Sequence, residues 1–455
     1  MKPIIMIAWL CCLQFISFAQ SKSKTKTSQA LVVDPRSTVD KLTGEIESQI
    51  IEARHWLHQN AELSNREFKT SEYIAKYLQS LGIETKTGIA HTGVVGLIKG
   101  GLPGPTILLR ADMDALPVTE RADIPWKSVN KDVFNGMPVG VMHACGHDTH
   151  VSMLMGAAKV LNSMKDQIKG NVKLVFQPAE EGAPKGEKGG AELMINEGVM
   201  ENPKVDVAFG MHIASQSPVG HIIYKPEGWM ASVDGLYIKV KGKQVHGSTP
   251  WGGVDPVVIG SQIVNALQTI VSRQIDISTA PAVVTVATFH AGVRGNIIPE
   301  EAELGGTIRC LDANIRKQVH EKIKHIAITV AESMGGTAEP IIEVGYPVTY
   351  NDPALTAQML PTFKRVLGDN NVTLSKAIMP AEDFSFFGQK VPALFVSLGG
   401  MAAGSDPTKA PAHHTPDFYV DDSCMKYGIK VFCNFVLDYG DQWKPMALMS
   451  AAPAK

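Results

Sequence analysis

Between residues 227 and 345 the chain reads strand, helix, strand, strand, helix, strand, and this order limits the fold more than any other feature. Leu236–Lys241, Ala282–Ala291, Glu301–Cys310 and Ile341–Val344 have strand patterns, and Val254–Ile275 a helical one. In the second helix, Asn314–Met334, the residues Ile315, Val319, Ile323, Ile326, Val330 and Met334 recur at steps of three and four before Gly335-Gly336 ends the run. That is the split-βαβ, ferredoxin-like plan of a compact α+β domain. On either side, helix and strand alternate. Ser37–Leu81 reads as two helices, Gly93–Lys99, Pro105–Arg110 and Asn171–Gln177 as buried strands, and Val151–Met164 as a helix. The expected architecture is a two-domain α/β chain: a mixed-sheet α/β catalytic domain over residues 37–226 and 346–445, interrupted by the inserted α+β domain.

With 44% hydrophobic and 19% charged residues in 455, the chain has ample material for cores. Its formal net charge of -2 leaves no basic footprint for nucleic acid. The first 19 residues have the form of a secretory signal peptide: Lys2, the apolar run Ile4–Phe18, and a small-residue cleavage site at Ala19. The run is short for a membrane span, so no stable membrane anchor is expected, and the mature protein is expected to be periplasmic or extracellular. Cys424 and Cys433 fall on one predicted helix, about 13 Å apart in rise and out of phase, so they cannot bridge within it. This is not a disulfide scaffold.

The chemistry concentrates in His143-Ala144-Cys145-Gly146-His147, which continues into Asp148 and His150. Thiolate and imidazole suit zinc, manganese, cobalt or nickel rather than calcium or magnesium. In extended backbone, Cys145 and His147 would point the same way. Asp112 and Asp114 follow a strand, where aspartates also commonly serve as turn residues. Glu180 and Glu181 follow the next strand; one can bind a metal while its neighbour faces an attacking water. His212 lies after Val205–Phe209, and His413-His414 precede Thr415-Pro416. Taking one residue from each pair, Cys145, His147, Glu181, His212 and His414 make a donor set larger than one catalytic zinc needs, which suits two metals. HExxH, GxSxG, P-loop and GxGxxG motifs are absent.

MHACGHDTH, FQPAEEG, Met211-His212, HGSTP and HHTPDF together resemble the aminoacylase/carboxypeptidase family of dinuclear metallohydrolases. They are most similar to its amidohydrolase branch of hippurate hydrolases, N-acyl-amino-acid amidohydrolases and auxin-conjugate hydrolases. The likeness runs from about Arg54 to Val436. It implies two divalent ions, manganese or zinc foremost and cobalt or nickel as alternatives. Cys145 would bridge them, with His147, Glu181, His212 and His414 completing the ligand set and Glu180 acting as general base. The peptidase branch begins its metal motif with His-x-Asp. This chain has Asp112-x-Asp114, which casts Asp114 as a carboxylate orienting a ligand.

The resemblance also makes the insert a lid or dimerisation domain. His246 would contact the scissile carbonyl as the lid closes, and Asn296 and Arg309 would bind substrate, a guanidinium being apt for a carboxylate. The implied reaction is hydrolysis of an N-acyl amino acid to a carboxylic acid and a free amino acid, by a homodimer joined through the insert. The alternatives are a metallo-dipeptidase or carboxypeptidase with the same chemistry and, more distantly, an exported metal-binding protein without catalysis. The Glu180-Glu181 pair argues against the last, since a binder needs no base beside its ligand.

Overall fold

The computed structural model describes residues 34–444, so the N-terminal apolar run and its cleavage site lie outside the described residues. The larger sheet has eight strands, in the order Glu84–Ile89, Gly93–Lys99, Lys169–Gln177, Leu102–Asp112, Val207–Pro218, Ala393–Met401, Ile222–Tyr224, Val372–Leu374. Its four central strands, from Lys169–Gln177 to Ala393–Met401, run parallel, while both flanks contain antiparallel pairs. These central strands are buried along most of their length, as strands covered on both faces must be. One face packs against Pro35–Gln59, His147–Ser163 and Met425–Gln442, in a core that includes Ile50, Leu57, Leu154, Leu174, Phe209 and Phe432. The other is covered by a smaller cluster around Met194, Trp229, Phe384, Phe387 and Phe395.

The insert forms a second sheet, ordered Ala282–Ala291, Glu301–Cys310, Asp234–Lys241, Thr337–Val344, with every neighbouring pair antiparallel. Its two long helices start at side-chain caps: Asp255 accepts from the Val257 and Val258 N–H groups, and Asp312 from those of Asn314 and Ile315. Ile259, Ile263, Ile315, Val319 and Ile323 close a core separate from those of the large sheet. The fold is therefore the expected two-domain α/β architecture with an inserted α+β unit.

Two local expectations are corrected, and both bear on the site. The backbone from Cys145 to His147 is not extended: Gly146 has φ +92° and His147 is the first residue of a helix. That left-handed step is open to glycine. A Cβ at Gly146 would also stand 2.5 Å from Ile213 Cγ2, so there is no room for a larger residue. His212 does not follow its strand but lies inside Val207–Pro218, paired in parallel register with Ser397. All four described cysteines are free, as expected of a chain that is not stapled.

Candidate active site

The site lies where central parallel strands end, the usual place for ligands in such sheets. Asp112 is the last residue of its strand, and Glu180 and Glu181 follow Gln177 after a turn in which Ala179 takes φ +52°. A cleft of about 530 Å³ opens here, lined by Cys145, Glu180, Glu181, His212, Glu382 and His414. Met230, Tyr346, Ile378 and Pro380 also line it.

Cys145 is the centre of the donor set. Its Sγ lies 3.3 Å from His212 Nε2 and 3.3 Å from His414 Nε2. His414 Nε2 is also 3.2 Å from Glu181 Oε1. His147 Nε2 lies 3.9 Å from carboxylate oxygens of both Glu180 and Glu181. Each imidazole is turned by a bond on its far nitrogen. His212 Nδ1–H donates to the Ile213 carbonyl at 2.6 Å, and His147 Nδ1–H to the Asp114 carbonyl at 2.8 Å. Both Nε2 lone pairs therefore face the cluster, as a metal requires. His147 Nε2 is buried and has no hydrogen-bond partner. An orphaned buried ring nitrogen facing carboxylates is what a metal ligand looks like without its ion.

His413 and His414 separate cleanly. His413 donates from Nδ1 to the Cys145 carbonyl at 3.1 Å and accepts at Nε2 from the Ser215 N–H at 3.2 Å, so both its nitrogens are engaged. His414, at φ +62°, turns its Nε2 into the cluster.

The electrostatics favour a cation. Asp112, Asp114, Glu180 and Glu382 are all buried. Burial alone would lower the pKa of His147, yet Asp112 and Asp114 raise it to about 10. Burial, then Glu181 and Glu180, push the Cys145 thiol well above its usual range. A thiolate is favoured there only beside strong positive charge, which divalent metal supplies. Donor atoms close enough to share an ion include Cys145 with Glu181 and His414, His147 with both glutamates, and Cys145 with His212 and His413.

Residues around the cluster hold it in place. Asp114 accepts from Ser64 Oγ at 2.7 Å and from the Glu181 N–H at 3.1 Å while facing His147. This agrees with an orienting carboxylate. Arg110 and Tyr346 were not singled out in the sequence, whereas His150 was noted there only as a potential ligand. Buried Arg110 bonds Asp112, Glu382, Asp383 and Gln177 together. His150 donates to Asp112 and accepts at Nε2 from the Ile213 N–H at 2.7 Å. Tyr346 OH donates to the Glu180 carbonyl at 2.8 Å. The one sequence signal for the Arg110 network was the adjacent acid pair Glu382-Asp383.

The structure does not bring the insert's candidates to this cluster. His246 is exposed, its Nδ1 accepting from Ser248, and Asn296 is exposed beside it, its carbonyl accepting from the Gly247 N–H. Arg309 lies within the insert's sheet, opposite Val283. None of the three lines the cleft.

A buried thiol, imidazoles and adjacent glutamates at the ends of parallel strands define a metal-dependent hydrolase centre. Residues 108–438 match the model of the peptidase family M20/M25/M40, and the chain belongs to that family. It is 42% identical to thermostable carboxypeptidase 2 of Saccharolobus solfataricus, over 84% of this chain and 93% of that protein. It is 35% identical to the IAA-amino acid hydrolase ILR1-like 4 of Arabidopsis thaliana, over 85% and 84% respectively. The solved structure of the Bacillus subtilis YXEP protein, described as a dinuclear metal binding peptidase from the M20 family, matches with a TM-score of 0.74 at 30% identity. That match covers 88% of this chain and all of the other. The protein is thus an M20-family metallohydrolase acting on amides.

Proposed function

We propose that the protein hydrolyses N-acyl amino acids, releasing a carboxylic acid and the free amino acid. The observation that carries this reading is Glu180, a buried carboxylate on the cleft wall next to Glu181 and 3.9 Å from His147 Nε2, where it can face an attacking water. Cys145, His147, Glu181, His212 and His414 would hold two divalent ions. When bound, such ions polarise the scissile carbonyl and ease deprotonation of water. Glu180 takes the proton from the attacking water and returns it to the leaving nitrogen. Tyr346 and the turn at Ala179 fix the segment that carries Glu180. Arg110 holds Glu382 and Asp112 around the cluster. His246, Asn296 and Arg309 act only if the insert swings toward the cleft, as a lid that excludes water would.

The Arabidopsis relative, named for an acylated amino acid, supports this substrate class. A carboxypeptidase reading uses the same chemistry and is favoured by the name of the Saccharolobus relative. The deciding experiment is release of amino acid from N-acetyl and N-benzoyl amino acids and from dipeptides, using chelated enzyme reloaded with manganese or zinc. Metal-dependent preference for the acylated set supports the amidohydrolase, and preference for dipeptides moves the protein to the peptidase side.

A further inference from the structure

A second cleft, of about 220 Å³, meets the first at Glu181. Leu63, Ala115, Leu116, Val133, Phe134 and Pro184 give it apolar walls. Its outer wall is a hairpin, Lys131–Phe134 with Met137–Gly140, that pairs with no other strand. The hairpin carries large apolar side chains in the open: Val133 is 61% and Phe134 37% exposed. A free-standing hairpin with an apolar wall gains little stability from it in water. These side chains are explained if something apolar seats against them.

Two observations tie this cleft to the chemistry. Glu181, a donor in the metal cluster, lines both clefts. Ser64, on the wall of the second, donates to Asp114, which in turn holds His147. The cleft is also too small for a whole ligand, since small-molecule sites run about 300–1,000 Å³. It suits one side group.

We infer that the hairpin Lys131–Gly140 walls a second subsite that takes an apolar group on one side of the scissile amide, the remainder of the substrate lying in the larger cleft across Glu181. This rests on the amidohydrolase reading and extends it: the preferred substrates are bulky and apolar on at least one side of the bond. The group is either the acyl chain or the amino-acid side chain, and both present the same chemistry to the wall.

The test compares wild type, Phe134→Ser and Val133→Ser, each as full-length enzyme reloaded with zinc or manganese. In one arm N-acetyl amino acids run from alanine to phenylalanine; in the other, alanine carries acyl groups from acetyl to benzoyl. The ratio of kcat/KM for the bulkiest to the smallest member falls about ten-fold in one arm, which identifies the group. Val129→Ser, an exposed position just before the hairpin and not part of the cleft lining, leaves the ratio as in wild type, and thermal melts show that the variants fold. Unchanged ratios in both arms overturn the subsite. If wild type cleaves no member, the amidohydrolase reading fails. Calorimetric binding of the same series to Glu180→Gln protein, with and without Phe134→Ser, then decides the cleft separately. A size preference lost with Phe134 keeps the subsite; equal affinities, or no binding, overturn it.

Discussion

His413 and His414 are neighbours in sequence with opposite duties: the first spends both ring nitrogens on backbone, and the second turns its Nε2 toward Cys145 and Glu181. His414→Ala should therefore reduce bound metal below two ions per chain and remove nearly all turnover. His413→Ala should retain metal and lose about 1–2 kcal/mol of stability, because it strands a carbonyl and an N–H. Metal analysis of dialysed protein beside denaturant melts separates the two.

Glu180→Gln should keep the metal content of wild type while kcat falls by at least about 10²–10⁴-fold, the range for loss of a general base. Metal analysis and steady-state rates on a cleaved substrate check this. Near-native activity would remove Glu180 from its assigned role.

Arg110 pairs with Asp112, Glu382 and Asp383 at 2.5 to 2.9 Å in a site closed to solvent. Arg110→Met should cost about 3–5 kcal/mol, the penalty for leaving a buried charge without its partner. Burial raises Glu382 to about 7 and Asp383 to about 6 although Arg110 pulls both down, so removing the guanidinium should raise them further. Urea unfolding of the variant measures the loss.

Asp234 and His58 give pH dependences of opposite sign. Burial raises the pKa of Asp234, but His320 and Arg316 overcome it and hold the group at about 2. Its folded value lies below its unfolded one, so its contribution is present above about pH 4 and is lost as pH falls toward 2. The stability difference between wild type and Asp234→Asn should shrink over that window.

His58 is the reverse case. Burial lowers its pKa, yet Asp148 and Glu120 raise it to about 9. Its contribution is complete below about pH 6.5 and disappears as pH rises through 9. Denaturant melts of His58→Gln against wild type between pH 6 and 10 should converge at the alkaline end.

Much of the site was legible because donor type and spacing survive in a linear string. Cys145, His147, Glu180-Glu181, His212 and His413-His414 stood out by donor type and spacing, and the choice of His414 within its pair came from the family resemblance. The turn at Gly146 was not legible, since an extended and a left-handed step have the same letters. Nor, without that resemblance, was the choice between His413 and His414, which depends on partners at Cys145 and Ser215 far along the chain. The Arg110 network was hidden for the same reason: its acids Glu382 and Asp383 are brought to it only by the sheet. The insert's strand order followed from its α and β periodicity. Where His246, Asn296 and Arg309 stand relative to the cleft is a matter of domain geometry, which periodicity does not encode.

Arg110 and Asp112 precede the inserted domain, whereas Glu382, Asp383 and His414 follow it. A ribosome must therefore finish the inserted domain before His414 emerges. Until then the growing chain carries Cys145, His147 and the glutamate pair without the histidine that completes their surroundings. A product of interrupted synthesis that stops short of residue 414 lacks the imidazole that faces Cys145 and Glu181.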